Sequence, residues 1–272
     1  MSVDYFSYND GKGVINPDDF RISPSGLYRF FSHTNDWYRE HVIKDPDAGF
    51  QGNDSSFIGD CVHAMAHAYK DTGKLINAQC ESYIDKLGIL ADKTYIRQQY
   101  PVMAQVLIDQ YVSKIPKHFK AEPFLYHEIM EGVGVGGSID VLGDRCVTDY
   151  KTTSNLNAPT YFSKHYWFQL MTYAFLARKE GYDIDTIRIV FVTHNTVNRV
   201  SERTGRPMKN YPSTVSILED TVTEEGLILI EDVLHLVAES VIAYKEKPEL
   251  RHLLAQDMRL KERIARPSMF DV

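Results

Sequence analysis

The stretch that decides how this chain is read is Gly137-Ser138-Ile139-Asp140-Val141-Leu142-Gly143-Asp144-Arg145-Cys146-Val147-Thr148-Asp149-Tyr150-Lys151. Two β-favouring runs flank Gly143-Asp144, a pair suited to a two-residue hairpin loop because both residues tolerate left-handed backbone. With that loop, Leu142 faces Arg145 and Asp140 faces Val147. Side chains alternate along a strand, so Val147, Asp149 and Lys151 share the face of Asp140, with Asp149 its diagonal neighbour at roughly 7 to 8 Å. A four-residue loop centred on the same pair keeps this register, whereas a three-residue loop slips it by one residue.

Two acids and a lysine on one surface invite a chemical reading. Paired carboxylates repel unless a cation lies between them, and oxygen donors suit Mg²⁺ or Mn²⁺ together with substrate phosphate. An ammonium beside them can orient a water and balance charge that develops on phosphorus. Taken alone, the three residues also fit a solvated hairpin face.

Working outward, 272 residues fit one large or two small domains, and no repeat, low-complexity tract or linker divides them. We expect a single unit spanning 1–272, with a helical N-terminal part over about 22–120, a catalytic core over about 121–220 and C-terminal helices over about 221–272. The chain is 43% hydrophobic and 25% charged, which can close a core and excludes disordered, collagen-like and disulfide-scaffold classes. No apolar run reaches the roughly 18 residues of a membrane span, no secretory layout opens the chain, and no membrane association is expected. Cys61, Cys80 and Cys146 form no disulfide or thiolate-metal pattern, so a cytoplasmic setting is expected. The net charge of −7 argues only weakly against nucleic acid, because a metal-dependent nuclease concentrates acids in its site.

Along the chain, Ser23 and Pro24 read as the cap and first turn of a helix running through Leu27, Phe30 and Phe31 toward Trp37. A second helix runs from about Phe57 to Lys70, capped by Ser55 or Ser56 and ended by Gly73. Helical pattern covers about Ala78 to Gly88 and Lys93 to Lys117, with Pro101 expected to break or kink the latter. From Pro123 to Thr152 the period becomes that of an antiparallel meander. An aromatic helix follows from about Thr160 to Lys179, then strands near Thr186–Thr193 and Ser213–Leu218. The chain closes on helices over about Thr223–Lys245 and Pro248–Ile264. This order predicts an α/β fold in which a mixed sheet is covered by helices.

The spacing of Asp140 from Asp149-x-Lys151 resembles the core of the PD-(D/E)xK nuclease superfamily, and the local wording GSID and DYKT resembles its RecB-type exonuclease branch. Further marks of that branch have matches in order: Ile22-Ser23-Pro24-Ser25-Gly26-Leu27 followed by Trp37-Tyr38, Gly59-x-x-x-His63, and Gln169-x-x-x-Tyr173. The resemblance covers roughly Ile22 to Phe191. Ile139 stands where the superfamily name has proline.

The resemblance implies a restriction-endonuclease-like core with a catalytic antiparallel hairpin. It implies metal ligation by His63, Asp140, Asp149 and the backbone carbonyl of Tyr150, with Mg²⁺ or Mn²⁺ as cofactor and Lys151 as the catalytic cation. Gln169 and Tyr173, one turn apart, would face the hairpin and position Lys151 or a DNA phosphate. Gly59, one turn before His63, would let another backbone approach. Glu128, on the preceding strand, stands as an additional acid for the site. Relatives with an iron-sulfur cluster need more cysteines than this chain has, so no cluster is expected.

The implied activity is metal-dependent phosphodiester hydrolysis at DNA ends in recombination, repair or phage DNA processing, in the host cytoplasm if phage-encoded. Structure-specific or nicking endonuclease action is the alternative within enzymes, and a non-catalytic nucleic-acid-binding module with the same fold is the alternative outside them. DNA is the implied partner, a recombination or single-strand-binding protein is a further candidate, and the oligomeric state stays open.

Other patterns carry less. Gly132-Val-Gly134-Val-Gly136-Gly137 leads into a strand and reads as a hairpin turn, not a dinucleotide loop. His63 and His67 lack the glutamate of a zinc-protease helix. Arg199, Arg203, Arg206 and Lys209, then Lys114, Lys117 and Lys120, and finally Arg259, Lys261, Arg263 and Arg266, are candidate phosphate contacts. Tyr28, Phe30 and Phe31 read as core in preference to a base-stacking platform.

Overall fold

In the computed structural model the described residues are 3–7, 15, 18–45, 52–155, 160–197, 199–200 and 205–246. Arg203, the C-terminal helix expected near 248–264, and Arg259, Lys261, Arg263 and Arg266 lie outside them.

Strand β1 (Phe20–Ile22) leads into the short helices α1 (Leu27–Ser32) and α2 (Thr34–Tyr38), followed by α3 (Asp54–Thr72), α4 (Asn77–Lys86) and α5 (Lys93–Gln110). Strands β2 (Lys120–Ala121), β3 (Phe124–Met130), β4 (Val133–Ser138), β5 (Val141–Leu142) and β6 (Cys146–Thr153) come next. Helix α6 (Lys164–Lys179), strands β7 (Thr186–Thr193) and β8 (Val215–Thr221) and helix α7 (Glu224–Glu246) complete the order. The α/β class with mixed sheets flanked by helices is as expected, but there are two sheets. One has the order β1-β4-β3, and the other β2-β5-β6-β7-β8.

The expected meander is therefore divided. β3 and β4 pair antiparallel in the first sheet, the chain breaks stride at Ile139-Asp140, and β5 and β6 pair in the second. A parallel β6–β7 pair bridged by α6 extends the second sheet, since parallel neighbours need a crossover. Alternation on β6 and β7 feeds two cores. Val147, Ile187, Ile189 and Phe191 pack with α6 and α7, while Tyr150, Val190 and Val192 pack with α3 and α5.

Local details differ from the sequence reading for identifiable reasons. The β5–β6 register pairs Leu142 with Val147 and Val141 with Thr148, two residues away from the expected Leu142–Arg145 pairing. The tight turn is Asp144-Arg145, closed by the Gly143 N–H donating to the Cys146 carbonyl at 2.9 Å. Gly143 is small here because a Cβ would sit 2.6 Å from the Phe119 ring; its φ is not in the left-handed region. The shift is even, so every side chain keeps its face.

Helix α3 is capped by Asn53, not by Ser55 or Ser56. The Asn53 side chain accepts from the Ser56 N–H at 3.0 Å while the Ser56 hydroxyl accepts from the Asn53 N–H at 2.9 Å, forming a reciprocal capping box. Ser23 makes no capping bond. Helix α5 continues through Pro101. A proline inside a helix costs about 3 kcal/mol, but Tyr100, Met103, Leu107 and Ile108 are all buried from the same helix. At about 1.5–3 kcal/mol per buried apolar side chain, packing outweighs the lost bond. Of the glycine run, only Gly132 (φ 72°) makes the turn; Gly134, Gly136 and Gly137 are strand residues. Of the three aromatics on α1, Phe30 is core, whereas Tyr28 is half-buried and Phe31 exposed.

Candidate active site

The site sits where the chain changes sheets. β5 is only two residues long, so β6 beyond Thr148 has no strand on that edge, and Asp140, just before β5, takes the vacant place. The Asp140 carboxylate accepts from the Tyr150 N–H through Oδ2 at 2.5 Å. Continuing the β5–β6 register brings Asp140 level with Asp149, so the two acids are direct neighbours across the edge and not diagonal ones.

Asp149 and Lys151 project from the β6 face that carries Val147, toward α6. Asp149 Oδ1 accepts from Gln169 Nε2 at 3.0 Å, and Asp149 Oδ2 lies 2.5 Å from Lys151 Nζ. That approach makes a close, buried ion pair in which Lys151 holds Oδ2 while Gln169 holds Oδ1. From the other side of the sheet, α3 brings His63 to the edge. Its Nδ1 stands 3.3 Å from Asp140 Oδ1, and its ring meets that of Tyr150 edge-on. A Cβ at Gly59 would lie 3.2 Å from Thr152 Oγ1, so the small residue admits a β6 side chain where the sequence suggested backbone.

These groups line one open cleft of about 830 Å³ that also includes Ser25, Ser138, His165, Gln169 and Tyr173. The Asp140 and Asp149 carboxyls, the imidazole, the ammonium, the amide and the phenol named from sequence therefore share it, whereas Tyr150 does not line it and is tied to it through its N–H to Asp140. Glu128 does not: it is exposed on β3, paired with Gly134 in the first sheet. The cleft holds Glu122 in its place. This residue has φ 44°, a left-handed conformation that is costly outside glycine, and its Oε2 lies 3.8 Å from His67 Nδ1. Nothing in the local sequence marked Glu122, because it belongs to a bend between β2 and β3 and not to a strand face. Lys151 is the only Lys or Arg among the described lining residues. Three of the candidate phosphate contacts are engaged with aromatic partners: Arg199 stacks 4.1 Å above the Tyr95 ring, Lys209 Nζ lies 4.9 Å above the Tyr211 ring, and Lys120 Nζ donates to the Tyr182 hydroxyl at 2.6 Å.

Proton affinities follow from these contacts. Burial would lower the His63 imidazole, but the Asp140 charge and contact outweigh it and push the group up to about 9. Burial would raise Asp140, but His63, then Lys151 and the Tyr150 N–H, hold it below the ordinary carboxylate range. Asp149 is raised by burial and by the Asp140 charge against the pull of Lys151. Lys151, despite burial, is held above its ordinary value by Asp149 and Asp140. Each acid is thus balanced by a cation of the protein itself.

The donor set, two carboxylates and an imidazole, suits a divalent cation. Among the described residues no three His, Cys, Asp or Glu side chains converge enough to enclose an ion. A cation bound here would complete its shell with water or substrate oxygens, as Mg²⁺ commonly does.

A sequence model of the PD-(D/E)XK nuclease superfamily matches residues 21–267. No curated protein matches the chain. Among solved structures, a presumed exonuclease from Eubacterium rectale shares the fold with TM-score 0.56 at 13% identity, covering 90% of this chain and 87% of that one. A phage-related exonuclease from Haemophilus somnus aligns with TM-score 0.38 at 13% identity, over 88% of this chain and 96% of that one. An alkaline exonuclease from Laribacter hongkongensis aligns with TM-score 0.36 at 12% identity, over 75% and 98% of the two chains. Among the described residues no helix is long and apolar enough to cross a membrane.

Proposed function

The chain belongs to the PD-(D/E)XK nuclease superfamily, and from that premise we propose that it is a Mg²⁺- or Mn²⁺-dependent deoxyribonuclease that hydrolyses phosphodiester bonds from DNA ends. One observation carries the reading: Asp149 and Lys151 leave the same face of β6 as an ion pair, with Asp140 beside them at the free edge of that strand.

In this reading Asp140, Asp149, the carbonyl of Tyr150 and His63 hold the divalent cation. A strand residue turns its N–H and C=O to the same edge, so the Tyr150 carbonyl belongs on the side where its N–H meets Asp140. Bound there, the cation supplies Lewis acidity to phosphate oxygens and makes water a better nucleophile. Lys151, kept charged by two acids, donates to the attacking water or a non-bridging phosphate oxygen and offsets negative charge as the new P–O bond forms. Gln169 fixes the Asp149 carboxylate through Oδ1 and leaves Oδ2 turned to Lys151. Tyr173 offers its phenol from the next turn of α6 to a phosphate in the cleft. His63 is protonated while it faces only Asp140, so it must shed that proton before its lone pair can serve as a ligand. The proposed setting is the cytoplasm, where the three cysteines stay free thiols.

The test is digestion of end-labelled linear DNA and of covalently closed circles, with Mg²⁺ or chelator. We expect linear DNA to be degraded only with metal and closed circles to resist. Asp149→Ala and Lys151→Ala should each lose on the order of 10²–10³-fold or more in rate while circular dichroism shows a folded chain. Cutting of closed circles would move the assignment to an endonuclease. Full activity in either variant would remove the roles given to those residues.

A further inference from the structure

Two short aromatic stripes meet beside the cleft, and the hydrolytic reading uses neither. On α1, Tyr28 and Phe31 are three residues apart and share a helix face; on α6, His165 and Phe168 have the same spacing. Across the two helices, Tyr28 lies 6.4 Å from the His165 ring and 5.7 Å from that of Phe168, and Phe31 lies 6.1 Å from Phe168. The row begins inside the cleft, because His165 lines it one turn before Gln169, and it runs outward to Phe31, which is 42% exposed. We propose that Tyr28, Phe31, His165 and Phe168 form a stacking platform for unpaired nucleobases of the single strand that enters or leaves the cleft.

The adjacent residue shows what a core aromatic at this point of the chain looks like. Phe30 is 7% exposed and sits edge-on to Trp37 at 5.1 Å, whereas Phe31 gives much of its ring to solvent. The rings of the row are tilted by 41–42° or set edge-on, so they do not consume one another's faces. Electrostatics alone grips a strand poorly here. The chain carries −7, and Lys151 is the only Lys or Arg among the described residues lining the cleft, where it is paired with Asp149. Stacking needs no net charge and tolerates any base, because every base has a π-face. Continuity with the cleft at His165, instead of an isolated apolar patch, is what favours a nucleobase over an apolar segment of a partner protein.

The proposal rests on the nuclease reading for the identity of the ligand, but its test does not require cleavage. In chelator, fluorescence anisotropy compares a short single-stranded oligonucleotide with an abasic one of equal length and charge. We expect the unmodified chain to bind the base-carrying strand on the order of tenfold more tightly, in line with stacking of one or two bases. Tyr28→Ala, Phe31→Ala and Phe31→Leu should each reduce that preference, leave binding of the abasic strand unchanged and melt as the parent does; Phe31→Tyr should retain the preference. Equal affinity of the parent for both strands, or variants that keep the full preference, would overturn the platform and leave the nuclease assignment intact. A base preference in a chain that never hydrolyses DNA would overturn the nuclease assignment and leave the platform intact.

Discussion

Gln169 and Asp149, twenty residues apart in sequence, are joined by a buried hydrogen bond of 3.0 Å from the amide Nε2 to the carboxylate Oδ1. They are 4% and 5% exposed. The bond ties α6 to β6 at the point where the acid also meets Lys151, so the helix that packs the core also orients the carboxylate.

Removing that amide has a double cost. Gln169→Ala leaves a buried charged acceptor short of a donor and should destabilise the fold by about 1–3 kcal/mol. Loss of an orienting partner of this kind should lower DNA hydrolysis by about 10–100-fold at saturating metal. Gln169→Glu should be worse on both counts, since it sets a second negative charge beside Asp149. Thermal melting and initial rates together check this, and parental values in both would contradict it.

In chelator, stability should depend on pH through His63. Its folded value of about 9 lies above the unfolded value of 6.5. The contribution is therefore complete below pH 6.5 and is lost as pH rises through 9. Asp140, whose folded value is lowered, acts in the opposite sense: its contribution is complete above the ordinary carboxylate range and is lost on acidification. Melting temperature should fall across pH 6.5 to 9, and His63→Ala should flatten that limb. A flat profile in the unmodified chain would contradict the His63–Asp140 pairing.

Glu122 should tune metal affinity without taking part in the chemical step. Burial and the Asp140 charge both raise its proton affinity, so it adds negative potential to the cleft whenever it is ionised. Glu122→Gln should weaken apparent divalent-metal affinity by about one order of magnitude, with turnover at saturating metal near the parental rate. Titration of activity against Mg²⁺ separates the two quantities. A loss of turnover that added metal does not restore would place Glu122 in the reaction itself.

Gly134 is required by packing. A Cβ there would collide with the Tyr126 hydroxyl and ring atoms, which lie across β4. Gly134→Ala should cost about 1–3 kcal/mol as the ring is displaced, and Tyr126→Ala in the same chain should recover part of the loss. Denaturant unfolding of the single and double variants tests this coupling.

Much of the site is legible because the signals are local. The two-residue alternation of β6 puts Asp149 and Lys151 on one face whatever the loop, and the one-turn spacing of Gln169 from Tyr173 puts both on one side of α6. The Asp140 face survived a wrong register because the error was even. Glu128 and Glu122 illustrate the converse. Strand order suggested the first, yet the chain leaves that sheet at Ile139-Asp140, and a left-handed bend delivers the second. Pro101 does not end α5 for a related reason: its penalty is intrinsic to the helix, while the burial that offsets it comes from packing against α3.

The sequence by itself determined which candidate groups share a face and which side of their own element they occupy, because side-chain direction repeats within a few bonds of backbone. Only the tertiary structure decided that the strand carrying those groups has a free edge, that Asp140 fills it, and that α3 delivers His63 there from the opposite layer. Those outcomes depend on which distant segments pack together. The free energy that selects them is the burial of two separate cores, and it is not expressed in any short window of the chain.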